Sequence, residues 1–570
     1  AWVPFACSFS LLSFYLIIRF QKWYIIFTVA LSFLFALFFI RKTWRENISY
    51  IKSHPGVSVL SLAVAVILVV AMHHTPGIPD IGKWQFSFYP FVLWLRIFTM
   101  PALFYLTVML FDKASRFISE LWSEMSSSEK RLYLLSATFL SAAVLILYAT
   151  NSKWYTQFDV VYSIDSGYCS KSIFPKLYYY DIRHPAMSVI TFPIWSVVRS
   201  LLQLFAPAQL LDVMCVACVQ LINIQFLLLT GIMIGKLSKS QYVFPLWLVS
   251  LPMLLFSAFF EKYQICVFLL VLYVYRLCRK ERGAEPYLIA AVGTMPTSVF
   301  LFADELLIKE NIFQKLLRIG RTFAVGVMFL VCTGRIHLLV PRILLDEVSS
   351  MAQRFGLKSL SIRECLNSFT NLVHGAFLGI SSENSAGKYI WTDVLGKISL
   401  LGVIIFVFMV LGVIVSRKEH FTRLCAVWTV SAFVLFVGFQ WSVHASPLFS
   451  IYFAWAFIPL FQKGLQFVIE KLHLKEKAVY TVLITAIFAG VLGMMGAALA
   501  ISIHERKMVY ALTFAIWFIP ILFKNSSMHI FQPFMEYDFN VIVPMAIWCI
   551  VLYILVIITA IIWEKKIVEV

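Results

Sequence analysis

Charge is what this chain has least of. Only 13% of its 570 residues are Asp, Glu, Lys or Arg, against 61% that are hydrophobic, and mean hydropathy is +0.86. No water-soluble globule could bury so much apolar side chain, so a soluble protein is excluded. Also missing are a Gly/Ser-rich or Pro-rich linker and any fixed-period repeat, which excludes tethered modules and solenoids. The ten cysteines are scattered, most of them in apolar tracts. Cys215 and Cys218 form a CVAC without a second ligand pair nearby, so they read as packing residues. Cys169 and Cys365 fall in outer loops and could pair. The opening stretch AWVPFACSFSLLSFYLIIRF has no basic n-region and no small-residue cleavage site, so it reads as a first helix and not a leader.

What is present is a succession of long apolar tracts from Phe5 to Trp563. With about 20 apolar residues per crossing, they amount to roughly twelve to fifteen membrane helices, an all-α polytopic membrane protein. The formal charge is +18, yet the basic residues sit in short groups between tracts and not in one aromatic-studded patch. They therefore report topology, and no nucleic acid is expected as a partner.

Lys and Arg accumulate on the cytoplasmic side. Arg41, Lys42, Arg45 and Lys52, then Lys113, Arg116, Lys130 and Arg131, place two loops inside. Lys236, Lys239, Arg276, Arg279, Lys280, Arg282, Lys309, Lys315, Arg318 and Arg321 agree only if Met187 to Phe205 does not cross. That segment, with Pro193 and Arg199, is expected along the outer interface, and the loop before it should line a wet cavity. The outer loops are then 150–208, 333–395 and 442–450; 1–131 form accessory helices, 132–475 a central module, and 476–570 C-terminal helices.

The first outer loop, YSIDSGYCSKSIFPKLYYYDIRHP, concentrates ionisable residues in a chain that has few. Asp165 precedes Ser166-Gly167, a turn-prone setting that presents a carboxylate at a loop tip. Such a group can take a proton from a substrate hydroxyl, and Asp181 and Asp159 are the fallback acids. Arg183 and His184 suit a phosphate, Arg by its planar fork and His by a single donor. Further cations are Arg335, His337, Arg342 and His444.

The bland readings compete. Loop acids are commonly just solvated, interfacial Arg anchors to headgroups, and Arg335 and His337 directly follow an apolar helix, where snorkelling explains them. His184 is held extended by Pro185 and could be a packed polar residue. The Tyr178-Tyr179-Tyr180 run fits an interfacial belt as well as a sugar platform. His73 and His74 lack the further ligands a zinc site needs, so no metal and no cofactor are expected.

The order acid, spacer, then Arg183-His184-Pro185-Ala186-Met187 before an interfacial helix resembles the GT-C superfamily, polytopic glycosyltransferases that use polyprenyl-linked sugars. Gly293-Thr294-Met295-Pro296-Thr297 is similar to the superfamily's Thr-Lys-Pro-Thr turn, with methionine in place of the usual lysine. Ser446-Pro447-Leu448-Phe449-Ser450 is loosely like a late outer loop of bacterial members. The resemblance spans roughly Leu132 to Ile469 at about 20 residues per helix.

It implies a GT-C-like bundle with Asp165 as general base, and Arg183, His184, Arg335, His337 and His444 around the donor phosphate. The implied partners are a polyprenyl-phosphate sugar, a cell-envelope glycan or lipid-linked acceptor, and membrane lipids. The implied place is the bacterial inner membrane with the site facing outward. The rivals are a lipid flippase, which should carry repeats and intramembrane ionisable residues, and an O-antigen ligase or polymerase, which should lean on Arg and His.

Overall fold

The computed structural model describes residues 3–17, 25–74, 89–150, 164–177, 184–279, 284–302, 312–333, 360–378, 382–385, 388–391, 394–440 and 446–476, with scattered positions from 479 to 487. The helices in order are α1 (Val3–Ile17), α2 (Ile25–Ser53), α3 (Pro55–His74), α4 (Tyr89–Glu124), α5 (Ser127–Thr150), α6 (Met187–Leu202), α7 (Leu211–Ser238) and α8 (Val243–Val249). There follow α9 (Leu251–Ala258), α10 (Tyr263–Cys278), α11 (Glu285–Thr294), α12 (Ile312–Cys332), α13 (Ile362–Gly375), α14 (Leu400–Ser416), α15 (His420–Phe433) and α16 (Ile451–Lys471). Apart from these and a few single turns, the described residues hold one antiparallel hairpin, Ser382–Ser385 with Lys388–Trp391.

Among the described residues, five helical segments are long and apolar enough to cross a membrane: Pro55–Met72, Ile97–Glu124, Ser127–Ala149, Leu211–Ser238 and His420–Gly438. The chain is a helical membrane protein. Its core is built on α7, α9, α10 and α16, with Trp247 of α8, Trp428 of α15 and Trp455 of α16 fully buried. Two of these indoles donate to carbonyls of neighbouring helices, Trp247 to Leu227 (2.9 Å) and Trp428 to Tyr452 (2.7 Å), which is how a buried Trp meets its one polar need. Against this core α14 and α16 touch backbone to backbone, because a Cβ on Gly464 would fall on the Phe408 carbonyl and one on Gly412 on that of Leu460.

One end of the bundle carries the basic groups. Lys236 meets Glu129 at 2.6 Å, Arg279 pairs with Glu124 and Glu120, Arg321 with Glu285, and Lys463 with Glu419. The Arg276 guanidinium lies over Phe117 and Tyr287, tying the tail of α4 to the ends of α10 and α11. Tyr242 stacks on Tyr480, whose hydroxyl reaches Gln462, so the α16 side belongs to the same end.

Two expectations change in detail. Lys113 and Arg116, expected in a loop, lie on α4, which runs unbroken to Glu124. Helix α6 stands antiparallel beside α7 instead of lying flat: Arg199 pairs with Asp212, and one turn back the Trp195 carbonyl faces Cys215. Its first half is buried at Met187, Ser188 and Thr191, while Leu201, just before its end, and Leu204 and Phe205, just past it, are exposed.

Candidate functional site

Inside the bundle, α9 and α10 are separated by a short non-helical linker, Phe259 to Lys262. A break between helices leaves carbonyls without intrahelical partners. Here buried amides supply them. Gln220 donates to the Phe256 and Ser257 carbonyls (both 2.8 Å), Gln264 to those of Phe256 (2.8 Å) and Phe259 (3.1 Å), and Asn223 to that of Glu261 (3.3 Å).

This scaffold holds an acid and a base side by side in the core. Glu261 is 0% exposed and Lys262 4%, with Lys262 Nζ 3.6 Å from Glu261 Oε2 and 4.7 Å from the centre of the Tyr263 ring. Glu261 is also bonded across the chain. Its Oε1 accepts from the Asp165 backbone N–H (2.6 Å), and its Oε2 from the Cys169 thiol (3.1 Å) and the Lys262 N–H (3.1 Å).

Asp165 is half-buried, just before a single helical turn, Ser166–Tyr168, that passes into a π-turn, Cys169–Ile173. The next hydroxyl, Ser166 Oγ, is buried with no hydrogen-bond partner among the described residues. His184 is 7% exposed, and its Nδ1 lies 2.6 Å from the Thr294 carbonyl. A carbonyl only accepts, so Nδ1 carries a proton. Beside it the Ala186 N–H donates to the Gly293 carbonyl (2.7 Å).

The three segments that carried the resemblance thus meet. His184 and Ala186 are on the Gly293-Thr294 turn, His184 lies 6.4 Å from Tyr263 between ring centres, and Tyr263 is 6.2 Å from Phe449 and 5.1 Å from Tyr452. The meeting point is also deep. Asn223, which holds the linker, lies about halfway along α7, roughly 18 Å from Leu211 at about 1.5 Å per residue.

Asp159, Asp181, Arg183, Arg335, His337, Arg342 and His444 lie outside the described residues. Pairing of Cys169 with Cys365 is not what forms: both are free thiols, and Cys169 is spent on Glu261. Burial, with Glu261 adding to it, pushes the Cys169 thiol well above its usual range, which makes it unreactive. Among the described residues no group of three or more His, Cys, Asp or Glu could hold a metal ion.

The sequence reading missed Glu261 and Lys262. It took the ionisable residues to gather at the outer edge; this pair lies near mid-height. The signal was present as FFEKYQ inside an apolar tract, where an ionisable residue marks function or a specific pairing. It also missed a second polar node on α13. Asn367 and Asn371 donate to the Leu395, Val394 and Lys397 carbonyls, and His374 Nδ1 lies 2.9 Å from Ser399 Oγ. Burial pushes the His374 imidazole down to about 4. Ser450 Oγ donates to the adjoining Gly375 carbonyl (2.8 Å), which fixes this node to the late-loop segment.

No family model matches the chain, and no solved structure matches it. An 84-residue stretch, 15% of the chain, is 34% identical to a protein of Bacillus subtilis (strain 168) described as uncharacterized protein YybM, and spans 34% of that protein's length. The chain therefore covers about a third of that relative, whose name carries no activity. Fold and site together define a helical membrane protein with an acid–base pair and a histidine converging inside its bundle.

Proposed function

We propose that this chain is a GT-C-type membrane glycosyltransferase, moving a sugar from a polyprenyl-phosphate carrier to a cell-envelope glycan or lipid-linked acceptor. One observation carries the reading: three separate segments chosen for their likeness to that superfamily, around Asp165 to Met187, Gly293 to Thr297 and Ser446 to Ser450, are packed around one buried linker. Asp165 is the base that takes the acceptor's proton, and His184, its Nδ1–H committed to the Thr294 carbonyl, serves the departing phosphate by donating from a protonated Nε2. Arg183, Arg335, His337 and His444 are the further cations of this reading. The end bearing the ion pairs is cytoplasmic by the rule for basic residues, which puts the site on the outer side of an inner membrane. A single inverting displacement needs no metal.

A photoreactive polyprenyl phosphate tests this without knowledge of the sugar. It should crosslink to peptides containing Asp165 to Phe174 or Phe259 to Cys266 and be competed by unlabelled carrier. Labelling confined to α1 to α4 would contradict the reading.

A second reading, a lipid-linked glycan flippase, has one observation in its favour: a buried ion pair beside broken helices is a transporter trait. Carrier movement across proteoliposomes without any sugar transfer would select it.

A further inference from the structure

The buried pair next to Asp165 is more than packing. Glu261 has no water to share, and its acceptor capacity goes to one purpose. Three of its contacts arrive from backbone or thiol donors, and the one to Asp165 bridges 96 positions of chain. Lys262 Nζ lies 3.6 Å from the same carboxylate that accepts the Asp165 N–H, which brings its charge next to the Asp165 loop. Two carboxylates close together oppose each other's ionisation unless a cation lies beside them. The amides of Gln220, Asn223 and Gln264 keep the linker rigid, so neither charge can swing away.

We infer that Glu261 and Lys262 are a positioning pair for Asp165, Glu261 clamping its loop through the backbone N–H and Lys262 supplying the counter-charge that both carboxylates share. This deepens the reading in which Asp165 is the base, and it rests on that reading for its purpose though not for its test. Among the described residues, the titratable groups that bear on Asp165 include Glu261 and Lys262 from the linker, Cys169 from its own turn, and Tyr263 from the start of α10. Burial holds the Cys169 thiol neutral, so the charge within this group is that of the linker pair. Removing one member of the pair moves the proton affinity of Asp165 one way, and removing the other moves it the opposite way. A merely structural role would not produce opposite signs.

The experiment is infrared titration of the full chain in detergent or nanodiscs, with the protonated-carboxyl band of Asp165 identified by its loss in Asp165→Asn. In Lys262→Met the midpoint should rise by about one pH unit or more, and in Glu261→Gln, which keeps an acceptor for the Asp165 N–H, it should fall by a similar amount. Midpoints that stay put, or move the same way in both variants, overturn the inference. Should a single variant fail to fold, Glu261→Gln/Lys262→Met replaces it. With both charges gone its midpoint should stay near that of the wild type, and a displacement of one unit would count against the pair. The readout needs no sugar donor. Opposite shifts in a protein that transfers nothing would therefore sink the glycosyltransferase reading and leave the pair standing.

Discussion

The basic end of the bundle and its buried middle treat charge in opposite ways. At the basic end Arg279, Glu120 and Glu124 are each about a third exposed, and the guanidinium pairs with both carboxylates at the surface. Near mid-height Glu261 and Lys262 are buried, next to each other in sequence, and held among amides from α7 and α10. Many charges held loosely serve to mark a side of the membrane; a single pair held rigidly in the core needs another reason, since burying ions is seldom favourable in itself.

That contrast can be broken by mutation. Glu261→Ala strands the Lys262 ammonium in the core and removes the anchor of the Asp165 loop. It should lower stability by about 3–5 kcal/mol, as loss of one partner of a buried pair does, read as a drop in the detergent-phase melting temperature. Gln264→Ala leaves the Phe259 carbonyl without its amide donor and should be milder, about 1–3 kcal/mol. A neutral result for both would put the two regions on the same footing.

His374 sharpens the comparison through pH. Its imidazole is depressed to about 4 in the fold, against about 6.5 in an unfolded chain. The unfolded state then binds the extra proton first. Stability is full above about 6.5 and falls, by up to about 1.4 kcal/mol per pH unit, as pH drops toward 4. His374→Gln should flatten that slope, and an unchanged slope would remove the residue from the pH response. The smallest effect belongs to the basic end: a double-mutant cycle on Arg279 and Glu124 should give a coupling of about 1 kcal/mol or less, weakened further by salt.

Much of the topology could be read from residue types alone, because a basic side chain at a membrane boundary acts locally. Lys236, Arg279 and Arg321 were grouped on one side without knowledge of their partners Glu129, Glu124 and Glu285. Asp165 and His184 were legible as candidates, since an acid before Ser-Gly and a histidine before Pro stand out in an apolar chain. Their neighbours were not. Glu261 and Lys262 are two letters in a hydrophobic run, and their significance comes from contacts some 96 positions away. The supporting role of Gln220, Asn223 and Gln264 exists only because the chain breaks after Ala258, a break that no Gly or Pro announces. The stance of α6 depends on small residues, Ser188 and Thr191, letting its first half into the core, which average hydropathy cannot express.

The most direct measurement is turnover in proteoliposomes supplied with a labelled polyprenyl-phosphate sugar and envelope acceptors, comparing wild type with Asp165→Asn. The wild type should move label onto an acceptor, and the variant, with its melting temperature preserved, should lose about 100-fold or more of that rate, as removal of a general base requires. Equal rates in the two proteins would contradict the assignment of the carboxylate, and a wild type that moves no label from any polyprenyl-phosphate sugar would contradict glycosyl transfer itself.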